Sequence, residues 1–68
     1  MELSARNQLK GKITSVKRGT VVAEISMEVG GGQTIVSTIS LASVDRMKLK
    51  EGDAVTAFIK ASEVIVGK

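Results

Sequence analysis

A chain of 68 residues that carries ten Lys and Arg, seven Asp and Glu, and no Cys, His or Pro has a formal charge of +3. Without thiolate or imidazole it has no disulfide, no ordinary ligands for zinc, copper or iron, and no base for a Ser-His or Cys-His nucleophile. With no carboxylate pair in an acid/base arrangement, the sequence reads as a non-enzyme without a catalytic cofactor. At this length folding buries only about 60% of the surface the unfolded chain exposes, so self-association is the remaining source of stability, and the modest positive excess favours an anionic partner.

The chain opens with Ser4 to Ile13, "SARNQLKGKI", which gathers side chains able to grip an anion by hydrogen bonds but equally at home in a solvated tail. Leu9 to Lys17 reads as a strand with Gly11 as a bulge position, and Lys17-Arg18-Gly19-Thr20 as the hairpin turn that follows. Val21, Ala23, Ile25, Met27 and Val29 then alternate with Val22, Glu24, Ser26 and Glu28, the period-2 pattern of a strand with one buried face. Gly30-Gly31-Gly32-Gln33 breaks the pattern, and Thr34 to Ser40 resumes it with Ile35, Ser37 and Ile39 on one side. The glycines lack the Gly-Lys-Ser/Thr ending of a phosphate loop and the spacing of a dinucleotide fingerprint, so they read as a turn.

Ser40 is placed to cap a short helix running to about Lys48, in which Leu41, Val44 and Met47 fall at helical spacing. Lys50 to Asp53 is a turn, Ala54 to Ile59 a fourth strand and Val64 to Val66 a short fifth. A helix between the third and fourth of five strands predicts a mainly β fold, a small OB-like five-stranded Greek-key barrel forming a single domain over residues 1–68.

Aliphatic residues stand on both faces of several strands: Val22 opposite Val21, Val36 opposite Ile35, Phe58 opposite Ile59. A small barrel hides one face, so the surplus predicts burial between subunits of a homo-oligomer. No apolar run approaches the roughly 18 residues of a membrane span and no leader pattern opens the chain, which makes the expected location cytoplasmic, with no membrane partner.

The "SARNQ" start, the "ISLASV" segment, the "LKEGD" turn and "IKASEV" near the end, taken in this order and spacing, resemble the molbindin (Mop) family, which binds molybdate and tungstate. The resemblance covers essentially the whole chain. It implies an OB-like barrel assembled as a hexamer, a trimer of dimers, with oxyanion sites at subunit interfaces and a role in intracellular molybdenum storage and homeostasis. Molybdate is a tetrahedral dianion with four acceptor oxygens and no donor, so its site calls for converging N–H and O–H groups near positive charge rather than for Cys or His.

Carried over one position at a time, Ser4 offers its hydroxyl and Arg6 its guanidinium, with Ala5 contributing at most a backbone N–H and Asn7 beside them. Ser40 and Ser43 match the hydroxyl positions of the helix start, although Ser40 is also a good cap in its own right. Lys60 supplies charge, Ala61 an amide, and Ser62 a hydroxyl or amide. Lys17, Arg18 and Thr20 form a further, weaker anion candidate, since a charged turn is ordinarily just solvated.

The main competing reading is an OB-type module for single-stranded nucleic acid, suggested by the barrel and the basic balance. Such modules stack bases on aromatic side chains. This chain has one aromatic, Phe58, expected in the core, so nucleic acid is not the anticipated partner. A purely structural assembly module is the third reading, against which the hydroxyls near both ends of the chain weigh only weakly.

Overall fold

A computed structural model describes residues 2–68. Four strands, β1 (Asn7–Arg18), β2 (Val22–Glu28), β3 (Thr34–Ser40) and β4 (Ala54–Ile59), are joined by one helix, α1 (Leu41–Met47), and a 3-10 turn at Ala61–Glu63 follows β4. All pairings are antiparallel in the order β3-β2-β1-β4. Three hairpin-linked strands with the fourth returning beside the first is the Greek-key order.

β1 gives the sheet its curl. Residues Asn7 to Lys12 pair with β4, and Lys12 to Arg18 pair with β2, so the two partners overlap only at Lys12. At this corner the register slips between Ile13 and Ser15, leaving Thr14 as the extra residue of a bulge whose hydroxyl donates to the Ser26 carbonyl (3.3 Å). The bulge therefore lies at Thr14 and not at Gly11. Gly11 meets a different demand: a Cβ there would lie 2.3 Å from the Glu28 carbonyl oxygen, because β1 bends directly over the end of β2. The Lys50–Asp53 turn docks on the same corner, its Gly52 N–H donating to the Ile13 carbonyl (2.8 Å) and Ile13 N–H to that of Asp53 (3.0 Å). Within the turn, the Lys50 backbone N–H and then its ammonium donate to Asp53 and hold that half-buried carboxyl below its ordinary pKa.

The curled sheet encloses Ile13, Ala23, Ile25, Met27, Val44 and Ala57. Ala23, Ile25 and Met27 are the alternating face of β2, as the period-2 pattern predicts; Val21, expected on that face, sits in the turn before β2 and is exposed. The helix plugs the core with Val44, while Leu41 is half-buried and Met47 exposed. Ser40 is its cap, accepting from the Ser43 N–H (3.1 Å). Its other end closes on Lys48 in the left-handed region, at φ 52° and ψ 45°. That conformation costs a side chain about 1–2 kcal/mol. Lys48→Gly is therefore expected to raise stability by about 0.5–1 kcal/mol, after the extra freedom glycine gives the unfolded chain is deducted. A urea midpoint equal to or below that of the native chain would refute this.

Two further expectations fail. Val64 to Val66 forms no strand; after the 3-10 turn the chain runs on without a partner, with Ile65 and Val66 94% and 88% exposed. The sheet keeps two free edges, on β3 and on β4, and the tail pairs with neither within its own chain. Phe58, expected in the core, is 44% exposed, because the inward position of β4 beside it goes to Ala57. No pairing joins the edge strands β3 and β4, and between them opens an apolar cleft of about 170 Å³ lined by residues including Ile25, Ile39 and Val55.

Candidate functional site

The sequence-predicted donors fall into two groups at opposite ends of β1. At the first end, Asn7 pairs with Ile59, so the Ser4–Arg6 segment leaves the sheet beside the point where β4 passes into Lys60–Ser62. Two side-chain amides bind this junction: Asn7 Nδ2 donates to the Ile59 carbonyl (3.1 Å), and Gln8 Nε2 donates to the Ala5 carbonyl (2.8 Å). Lys60 is the residue before the 3-10 turn, in extended conformation and without a side-chain cap, so the first amides of the turn, at Ala61 and Ser62, have no partner inside it. Ser4, Arg6, Lys60 and Ser62 are exposed, and among the described residues their side chains form no hydrogen bond or ion pair. A guanidinium, an ammonium, two hydroxyls and two amides thus stand uncommitted around one junction.

The second end is internally occupied. Ser40, paired with Val22 at the end of β3, accepts from Ser43 N–H and donates its hydroxyl to Ser43 Oγ (2.9 Å), which leaves Ser43 with the free hydroxyl hydrogen. Lys17, Arg18 and Thr20 lie at this same end. Arg18 Nη2 is held by Asp45 Oδ1 of α1 at 2.8 Å, and Lys17 stands across from Glu24 in the sheet. The weaker candidate therefore has its arginine already matched by a carboxylate.

A strand rises about 3.3 Å per residue, so each limb of the bent β1, Asn7 to Lys12 and Ile13 to Arg18, carries its end about 17 Å away from the corner. A tetrahedral oxyanion spans only a few ångströms. Within one chain, Ser40 and Ser43 cannot share a ligand with Arg6 and Lys60. A surface depression of about 600 Å³ along β4 is walled by Met47, Leu49, Val55 and Phe58 with Lys10 at its side, and it coincides with neither donor group. No cluster of three or more His, Cys, Asp or Glu side chains able to hold a metal ion occurs among the described residues.

Gln8 and Asp45 are the residues that sequence reasoning missed. Each acts through a partner three or more positions away, Ala5 for Gln8 and Arg18 for Asp45, and no local pattern marks such a contact.

Comparison with known proteins adds the following. The profile of the TOBE domain matches residues 3–66. Molybdenum-pterin-binding protein 3 of Clostridium pasteurianum is 48% identical over 66 residues, 97% of this chain and 97% of the relative. Among solved structures, a molybdate-binding protein from Sporomusa ovata superposes with a TM-score of 0.93 at 40% identity, over the whole of both chains. The cytoplasmic molybdate-binding protein ModG, in a crystal form with molybdate bound, superposes at 0.91 and 40% identity; this chain covers 46% of its length.

Proposed function

The chain belongs to the TOBE-domain family, in the molbindin (Mop) group that its sequence resembles, and from that premise we propose that it binds molybdate or tungstate by hydrogen bonds. The observation that carries the reading is the set of uncommitted donors where Ser4–Arg6 meets Lys60–Ser62. Arg6 and Lys60 offset the dianion's charge, Ser4 and Ser62 donate hydroxyls, and the Ala61 and Ser62 amides fill remaining acceptor positions. Asn7 contributes by holding the junction together, and Ala5 through its backbone. The chain acts as a single binding domain over residues 1–68, not as an enzyme: the donor set stabilises an anion but includes no general base to activate a nucleophile against it.

The active form is a homo-oligomer, a hexamer built as a trimer of dimers, with the oxyanion held at subunit interfaces. Two features support this. The separation of the donor groups means that Ser40 and Ser43 reach an anion at Arg6 and Lys60 only from another copy. Val22, Val36, Phe58, Val64, Ile65 and Val66 are also exposed on one chain, beside two free sheet edges and an apolar cleft. The Val64–Val66 tail has the β-branched composition to pair with such an edge on a second copy, which would restore the fifth strand. Storage and buffering of molybdate in the cytoplasm is the role this fits. The cytoplasmic location of ModG supports it, and no helix among the described residues is long and apolar enough to cross a membrane.

Isothermal titration of ligand-free protein with molybdate, alongside sulfate and phosphate and with the particle mass measured by sedimentation, tests both parts. Saturable binding of molybdate in preference to both controls, by a species of six chains, is expected. Absence of heat and of any thermal shift removes the oxyanion reading, and a folded monomer at micromolar concentration removes the interface.

A further inference from the structure

We infer that Gln8 and Asn7 are positioning residues: two side-chain amides that fix the Ser4–Arg6 segment against the end of β4 before any ligand arrives. The inference rests on the oxyanion reading of this end of the molecule, and it assigns the selectivity of that site to residues that need not touch the anion.

Residues 4–6 lie outside the ladder, since pairing of β1 with β4 begins at Asn7. A segment outside the ladder, with Ser4 and Arg6 exposed, has nothing of its own to define it, and its donors would sample many directions. The Gln8 amide closes the segment on itself by donating to Ala5, three residues back, at 2.8 Å. The half-buried Asn7 amide donates across to Ile59 at 3.1 Å, on the peptide immediately before Lys60. The first contact sets the direction in which Ser4 and Arg6 leave the strand. The second ties that strand end to the backbone that presents Lys60 and the Ala61 and Ser62 amides. Together they hold the two halves of the donor set in register, and they reduce the ordering cost that binding would otherwise incur.

The test uses Gln8→Met and Asn7→Leu, which keep side-chain size while removing the donor without adding charge. Gln33→Met, at an exposed hairpin position on another part of the molecule, is the control. Two quantities are read on the full chain: molybdate affinity against sulfate by titration, and ¹⁵N order parameters of Ala5 and Arg6 in ligand-free protein. Each hydrogen bond lost is expected to lower molybdate affinity about fivefold to tenfold and to narrow the preference over sulfate, with particle mass unchanged and the thermal midpoint lowered by no more than several degrees. In Gln8→Met the order parameters of Ala5 and Arg6 should fall from values typical of rigid backbone, about 0.85, to below about 0.6. Order parameters that stay at the native value in Gln8→Met overturn the inference, and so does affinity within about twofold of native in both variants. If the native chain binds no molybdate, the oxyanion reading is lost, and the relaxation data alone decide whether these amides order the segment.

Discussion

Arg6→Ala and Lys60→Ala are each expected to weaken molybdate binding at least about tenfold, because each removes a charge-assisted donor worth about 1.5–3 kcal/mol. The fold itself should be insensitive to both changes. Both side chains are exposed, and among the described residues neither joins an ion pair or hydrogen bond, so thermal midpoints should move little. Arg18→Ala is the informative contrast. Its guanidinium is already paired with Asp45 at 2.8 Å, and removing an exposed pair costs about 0–1 kcal/mol of stability. If Arg18→Ala lowers affinity while Arg6→Ala leaves it unchanged, the anion lies at the other end of β1 and the site assignment is wrong. Unchanged affinity in both Arg6→Ala and Lys60→Ala would equally remove it.

Gly11→Ala should be among the most damaging single-methyl changes available to this chain. The added carbon would meet the Glu28 carbonyl oxygen at 2.3 Å, the Glu28 carbonyl carbon at 3.1 Å and Val29 Cγ1 at 3.0 Å. Two of these three atoms are backbone of the neighbouring strand, so relief requires β1 and β2 to separate at the very corner where β1 changes partners. Overpacking of this kind costs about 1–3 kcal/mol, and a core of this size supplies only about 3–5 kcal/mol in total. Gly11→Val should fail to fold. Gly67→Ala, where a Cβ would meet nothing within 4 Å, is the matched control and should be silent. Urea denaturation followed by circular dichroism decides the matter: a Gly11→Ala midpoint equal to that of the control would mean the corner is free to relax.

Individual residues show how far the site could be read before the fold was known. Ser4, Arg6 and Lys60 were legible as donors because their chemistry is fixed by residue type and no folding step changes it. Their sorting into an uncommitted end and an occupied end was not legible. The Ser40 hydroxyl is spent on Ser43, and Arg18 on an aspartate 27 positions away. Asn7 reads from sequence as one more donor for the anion, whereas its amide is directed at a carbonyl 52 residues further along the chain.

The sequence by itself determined what depends on neighbours along the chain: the alternating face of β2, the Ser40 cap, the extents of β3 and β4, and a composition without Cys or His. Period-2 burial, a hydroxyl three residues from an orphan amide and a glycine-rich turn are local physics, and local physics is written in consecutive letters. Only the tertiary structure decided that β1 serves two partners, that its bulge falls at Thr14 while Gly11 admits a crossing backbone, and that Phe58 faces outward. It also left Val64–Val66 without a partner, because a strand exists only where the fold brings the segment alongside another strand, and no property of three β-branched residues supplies that approach.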